Sequence, residues 1–293
     1  MVIKEATRFG AKEVREYHEK GYYFPVKALA EEEILMFKEK FLNHLAETRG
    51  QREKLSSRDQ YVVFSETHTY LNWVYRIVSH PNVLDAVEAI LGPNLMVWGS
   101  RWFAKMPGEK TYVSWHQDAT YWGLHPPNVT TAWIALSYSI LENGCMRVIP
   151  GTHRGDLLPQ RETYAPENAL SRGQEIAVEV DESQAVDLTL RPGEMSFHHI
   201  GIVHGSNVNK SDKPRIGIAV RYITPDVVQE GPERSLAMLV RGEDGFGHFE
   251  LVEPPQTDTL PTPGQIPKAV DRMMKNIMPK APQPSPGQHA SNE

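Results

Sequence analysis

Val113-Ser114-Trp115-His116-Gln117-Asp118-Ala119-Thr120-Tyr121-Trp122 is the stretch from which the rest of the chain can be read. Its aromatic and β-branched residues favour a strand or a strand end. Residues two apart on a strand share a face, so the imidazole of His116 and the carboxylate of Asp118 are expected to reach one ion together. Such a pair is two-thirds of the facial triad, two histidines and one carboxylate, that holds non-haem Fe(II) and leaves coordination positions open. A lone His-x-Asp is also a short motif that arises by chance, and a surface histidine beside a loop aspartate is the plain alternative.

About ninety residues downstream, Phe197-His198-His199-Ile200-Gly201-Ile202-Val203-His204-Gly205-Ser206-Asn207-Val208-Asn209 brings histidine back at a strand end. Arg215 follows His204 by eleven residues and opens the apolar strand Ile216-Gly217-Ile218-Ala219-Val220. An arginine in such a strand points to a buried anion, because its planar fork matches a carboxylate and its charge needs a partner. A salt bridge to one of the chain's own carboxylates meets the same need, and spacing alone leaves both open. His198 and His199 are rivals to His204 as a third ligand.

Working outward, the 293 residues suffice for one large domain or two small ones, and 40% hydrophobic with 23% charged residues is ordinary for a globular chain. A net charge of −6 offers no electrostatic footprint for nucleic acid or anionic membrane. No apolar run approaches the roughly 18 residues of a membrane span. The start of the chain lacks an apolar signal core, and a single cysteine, Cys145, allows no internal disulfide. A cytoplasmic protein without nucleic-acid or membrane partners is the expectation.

Helical signals dominate residues 1–92. Ala11–Lys20 is closed by Gly21, Glu31-Glu32-Glu33 opens an amphipathic segment, residues 49–60 read as a polar loop, and residues 80–91 carry Pro81 near their start and Gly92-Pro93 at their end. From residue 93 the texture is short strands between turns: Leu95–Lys105, Val113–His116, Thr130–Ser139, Met146–Ile149, Ile176–Val180, Ala185–Leu190, Glu194–His199 and Ile216–Ile223. The expected architecture is mainly β with flanking helices, in one domain over residues 1–253 whose β core spans about 93–225. Residues 254–293 are a proline-rich extension, partly disordered, in which Ala269–Met278 can form one short helix. Its stripe of Val270, Met273, Met274 and Ile277 is expected to pack on the domain or on a neighbouring subunit of a homo-oligomer.

His116-x-Asp118, His204-Gly205-Ser206-x-x-Asn209 and Arg215 together resemble the phytanoyl-CoA dioxygenase family, a branch of the Fe(II)/2-oxoglutarate-dependent oxygenases. Gly21-Tyr22, Lys105-x-Pro107-Gly108 and Asn143-Gly144-Cys145-Met146-Arg147-Val148-Ile149-Pro150-Gly151-Thr152-His153 extend the likeness over roughly residues 14–225. The resemblance implies a double-stranded β-helix, or jelly roll. It implies that His116, Asp118 and His204 hold Fe(II), that Arg215 pairs with the distal carboxylate of 2-oxoglutarate, and that Ser206 hydrogen-bonds the same group. Lys105 and Gln117 match residues near the co-substrate. Hydroxylation of a small-molecule C–H bond by O2, with release of succinate and CO2, is the implied reaction. In halogenating relatives a small residue replaces the carboxylate, so Asp118 speaks against halogenation. A metalloenzyme on the same scaffold without the oxo acid, and a silent small-molecule binding protein, are the alternatives.

The substrate is less legible. Arg101, Arg147 and Arg161 are conceivable anchors, the aromatic residues Tyr112, Trp115, Tyr121, Trp122 and Trp133 can line a pocket in part, and residues 154–175 are long for a connection and suit a lid. No basic cluster suits a CoA phosphate, which favours a small or mid-sized metabolite.

Overall fold

The computed structural model describes residues 9–52, 64–260 and 267–277. Helix α1 (Ala11–Lys20) ends at Gly21, whose φ of +81° suits glycine and whose amide donates to the Tyr17 carbonyl at 2.7 Å. Strand β1 (Tyr22–Lys27) follows, then α2 (Glu31–Arg52), which carries its acidic residues at the positive end of the helix. The helix runs through residues 49–52, where a loop was expected; residues 53–60 of that loop lie outside the described residues. Two further helices are α3 (Asn72–Val78), unforeseen from sequence, and α4 (Pro81–Leu91), with proline at its first position.

The strands that follow are β2 (Leu95–Lys105), β3 (Val113–His116), β4 (Leu124–His125), β5 (Val129–Ala135), β6 (Met146–Ile149), β7 (Gln160–Glu162), β8 (Gln174–Ile176), β9 (Val186–Leu188), β10 (Glu194–His199), β11 (Val203–Ser206), β12 (Arg215–Ile223), β13 (Val228–Gln229), β14 (Leu236–Arg241) and β15 (Glu250–Leu251). A single helical turn, α5 (Ala119–Trp122), follows β3, and α6 (Lys268–Ile277) closes the described chain. One sheet has the order β1-β10-β5-β12-β2-β14-β15, and it faces a four-stranded sheet β3-β11-β6-β9. The two form the expected double-stranded β-helix.

Side-chain alternation assigns the faces of the large sheet. Ile216, Ile218, Val220 and Tyr222 of β12 point outward into a core shared with Trp102, Phe197 and the helical residues Tyr17, Phe37, Val83 and Val87. The intervening Ala219 joins Trp133, Met146, Val148 and Ile202 between the sheets. All nine residues of β12 are buried, so this strand is the spine of the molecule.

Several boundaries differ from expectation. Strand β5 ends at Ala135, because residues 136–139 leave the sheet and Ser139 bridges Leu190 instead. Of the next expected strands, Ile176–Val180 shares only Ile176 with β8, and Ala185–Leu190 shrinks to β9; each observed strand has three residues. The large sheet does not stop near residue 225: β14 pairs with β2. The first part of the C-terminal extension is built into the domain, since Asp258 accepts from the Trp73 amide at 3.1 Å and from Lys40 Nζ at 3.0 Å. Helix α6 buries Ala269, Val270, Met274 and Ile277 against the domain, while residues 261–266 and 278–293 lie outside the described residues. Among the described residues no helix is long and apolar enough to cross a membrane.

The Tyr222 hydroxyl donates to the Val78 carbonyl at 2.7 Å in the dry outer core, tying the spine strand to α3. Tyr222→Phe strands that carbonyl and is expected to cost about 1–3 kcal/mol. Urea denaturation checks this as a lower midpoint with an unchanged slope.

Candidate metal centre and its pocket

The antiparallel register of β3 and β11 sets His116 directly opposite His204. Their rings lie 4.1 Å apart, centroid to centroid. Asp118 is not on the strand; β3 ends at His116, and the aspartate heads the α5 turn with helical φ and ψ of −59° and −38°. The turn, not strand alternation, carries its carboxylate back to the histidines. Asp118 Oδ1 stands 3.3 Å from His116 Nε2, and Oδ2 stands 3.9 Å from His204 Nε2. One ligand atom from each residue lies within 4.8 Å of the others.

The backbone decides which nitrogens are available. His116 Nδ1 meets the Ser114 carbonyl at 2.9 Å, and His204 Nδ1 meets the Ile202 carbonyl at 3.0 Å. A carbonyl only accepts, so in a neutral ring Nδ1 carries the proton and Nε2 presents its lone pair. Three acceptors then converge with no donor among them, and only a proton or a metal cation relieves their repulsion. Burial pushes the His204 imidazole down to about 4, aided by the charge of His116, so it is neutral and ready to ligate at neutral pH. Burial pushes the Asp118 carboxyl up, but a proton on His116 Nε2 would be donated to it, and this hydrogen bond with the pull of His204, His116 and His198 in their protonated forms outweighs burial and holds the group at about 2. The donor set fits a divalent metal of borderline character.

His198, the rival ligand, is close: its Nε2 is 4.0 Å from Asp118 Oδ2 and its ring is 4.7 Å from that of His204. It lies on β10, in the opposite sheet from the two paired histidines. His199 turns away, accepting the Gly201 amide on Nδ1 at 3.0 Å and packing on His153.

Arg215 sits at the start of β12, opposite Lys105 on β2. It is 2% exposed, yet among the described residues no carboxylate lies within ion-pair distance of it. Its Nη1 donates to the Gly144 carbonyl, its Nε has no partner, and its guanidinium lies 5.2 Å from the centre of the Trp133 ring. Burial draws it down to about 10. Gly217 makes this stack feasible, since a Cβ there would come within 2.3 Å of the Trp133 ring.

A cavity, open on one side, is lined by the triad, Ser206 and Arg215. Lys105 and Gln117, expected beside the co-substrate, do not line it. Lys105 Nζ is spent on Ser206 Oγ at 2.6 Å, on the Ser206 carbonyl at 3.2 Å and on the Asn207 carbonyl, while burial and then the Arg215 charge draw it down to about 6. Gln117 falls between the two ligand positions and faces the other way, donating to Gly201 O at 2.7 Å and accepting from Leu158 N at 2.8 Å. Both residues brace the site from behind.

Of the aromatic candidates, Tyr121, Trp122 and Trp133 reach the cavity. Trp115 instead donates to Glu182 at 3.1 Å, and Tyr112 pairs with the backbone of residues 167–169. Arg147 is neutralised by Glu182 and Asp187, and Arg161 by Glu175, which leaves Arg101 as the one expected anchor that reaches the cavity. Residues 160–176 fold as the β7–β8 hairpin, and Leu170, Ser171 and Gln174 form part of the cavity wall. Met273 and Ile277 of α6 form another part, so the stripe packs on the domain and also reaches the pocket. Arg221 is a cavity residue that the sequence reading did not single out. Its signal was present, since it lies an even number of residues beyond Arg215 on the same strand.

With this geometry in place, comparison with known proteins is decisive at the level of family. The family described as Phytanoyl-CoA dioxygenase (PhyH) matches residues 17–217. The chain belongs to the phytanoyl-CoA dioxygenase family. It is 31% identical over 193 residues to the peroxisomal phytanoyl-CoA dioxygenase of Bos taurus, covering 61% of this chain and 56% of that protein. It is 27% identical over 161 residues to a probable alpha-ketoglutarate-dependent hypophosphite dioxygenase of Stutzerimonas stutzeri, covering 54% of this chain and 56% of that protein. The chain spans about half the length of the curated relatives it matches. Among solved structures, the apo form of the non-heme monooxygenase ThoJ superposes with a TM-score of 0.75 at 32% identity, covering 90% of this chain and 96% of that one.

His204→Ala is expected to weaken binding of a divalent metal by more than about 100-fold, since even the partners behind ligands are worth ~10–100-fold. His198→Ala is expected to retain the metal. Co(II) titration followed by its visible ligand-field bands distinguishes the two, and the reverse ranking would make His198 the ligand.

Proposed function

We propose that the chain is a non-haem Fe(II)- and 2-oxoglutarate-dependent dioxygenase that hydroxylates a C–H bond of a small molecule. His116, Asp118 and His204 hold the iron, and Arg215 receives the far carboxylate of 2-oxoglutarate. The observation that carries this reading is Arg215: a buried guanidinium with no carboxylate of the described residues in ion-pair reach, opening into the cavity where three acceptors converge. A charge buried in this way requires an anion from outside. The names of two relatives, one alpha-ketoglutarate-dependent and one a non-heme monooxygenase, support the same chemistry.

When bound, Fe(II) and 2-oxoglutarate would together activate O2, one oxygen atom passing to succinate as CO2 is released and the other to the substrate C–H bond. The protein orients and shields. The carbonyls of Ser114 and Ile202 hold both imidazoles in the ligating tautomer. Ser206 accepts from Lys105, which leaves its own hydroxyl proton free to donate to the carboxylate on Arg215. Trp133 lies along the guanidinium and restricts the co-substrate to one direction. Asp118 fills the position that a halide would need.

Anaerobic addition of Fe(II) and then 2-oxoglutarate is expected to produce a visible metal-to-ligand charge-transfer band. His116→Ala is expected to abolish it. Arg215→Ala is expected to raise the 2-oxoglutarate concentration needed for half-saturation by about 10–100-fold, the worth of a charged bidentate contact. Iron binding without the band would instead indicate a metalloenzyme that uses no oxo acid.

A further inference from the structure

Strand β12 carries a second buried guanidinium on its cavity face. Arg221 lies six residues beyond Arg215, roughly 20 Å along an extended strand, and both line the cavity. Arg221 is 9% exposed, its guanidinium lies 5.1 Å from the centre of the Trp122 ring, and its Nε has no hydrogen-bond partner. Among the described residues no carboxylate lies within ion-pair distance of it.

Its neighbours are in the same condition. Thr131 on β5 is directly opposite Arg221, and His198 on β10 is directly opposite Thr131. Residues paired in this way share a face, and all three line the cavity. Thr131 is 2% exposed and His198 3%, yet Thr131 Oγ1 and His198 Nδ1 have no partner either. Three orphaned polar atoms thus stand in one row across three adjacent strands. Buried polar atoms are rarely left unpaired, and a row of them lining a cavity marks a place where a ligand completes the bonding.

Among the described residues, Glu66 is the carboxyl group on which the charge of Arg221 acts. Its carboxyl occupies the next place in the row, over Gly99, where a Cβ would lie 2.9 Å from Glu66 Oε1. Yet Oε1 has no hydrogen-bond partner, and burial, opposed by the charge of Arg221, pushes the carboxyl up to about 8. Burial therefore favours the neutral form of Glu66, which makes it a weak counter-charge for Arg221.

We propose that Arg221, with Thr131 and His198, receives a carboxylate of the substrate, whose apolar body rests against Trp98, Trp122 and Met273. The proposal rests on the function given above and adds the substrate class: a small acid with a hydrophobic body, bound at the end of the cavity remote from Arg215. The guanidinium supplies the charge, and the hydroxyl and the imidazole Nδ1 supply hydrogen bonds that fix the orientation.

The test is calorimetric, on the full chain, anaerobic, with and without Fe(II) and 2-oxoglutarate. The probes are 3-phenylpropionate, 4-phenylbutyrate and octanoate, each compared with its neutral primary amide. At least one acid is expected to bind about tenfold or more tightly than its amide, the worth of a charged hydrogen bond. Arg221→Met is expected to abolish that preference, whereas Arg215→Met leaves it. Thr131→Val, which keeps the charge and the shape, is expected to reduce acid binding but not amide binding, and it stands in should Arg221→Met not fold. The proposal is overturned if no acid outbinds its amide, or if the preference survives Arg221→Met or disappears only in Arg215→Met. Acid preference does not require iron. A missing charge-transfer band with the preference intact therefore refutes the oxygenase reading alone, and a band without the preference refutes the subsite alone.

Discussion

Across strands β3 and β11, two imidazoles face each other with a buried carboxylate between them, each ring held by a backbone carbonyl so that its lone pair points inward. Left alone, this arrangement repels itself. The protein tolerates it because both strands are locked into a four-stranded sheet that faces the large sheet across the cavity, and a cation bound there would convert the repulsion into coordination. A slip of one residue between β3 and β11 would turn one imidazole out of the cavity. The register of that short pair is the constraint on which the site depends.

Strand β12 plays the corresponding part on the opposite wall. One face of it is Ile216, Ile218, Val220 and Tyr222, packed under the helices. The other face presents Arg215 and Arg221 with only Gly217 and Ala219 between them. The small residues leave space above the strand, which Trp133 partly fills and the cavity takes for the rest. Two buried guanidiniums with no carboxylate partner among the described residues cost stability in the ligand-free chain, and anions that bind the folded state would offset that cost.

The cavity walls come from elsewhere. The β7–β8 hairpin and helix α6 are connections and termini, whereas the triad and both arginines stand on, or next to, sheet strands. Rigid strands suit groups whose spacing the chemistry dictates, and connections suit surfaces that differ between substrates. Relatives named for phytanoyl-CoA and for hypophosphite, at 31% and 27% identity, fit a shared core with divergent walls.

Local pattern was enough for much of this protein. Alternation and turn residues placed β2, β3, β6 and β10 to the residue, glycine and proline placed the ends of α1 and α4, and the resemblance carried by several motifs in order picked out four groups that the fold brings into one cavity: His116, Asp118, His204 and Arg215. What could not be read locally depended on partners distant in sequence. The segment that becomes β14 has a strand's role because β2 offers it an edge, and Gln117 faces backward because Gly201 and Leu158 claim its amide. Asp118 reaches the histidines through a helical turn that strand alternation does not describe. The row of His198, Thr131 and Arg221 exists only through the registers of three strands brought together from separate parts of the chain. Residue chemistry and short-range periodicity are properties of the chain itself, and the sequence determined them. Which side chains share a cavity, and which buried polar atoms stay unpaired within it, follows from long-range pairing and was decided by the tertiary structure.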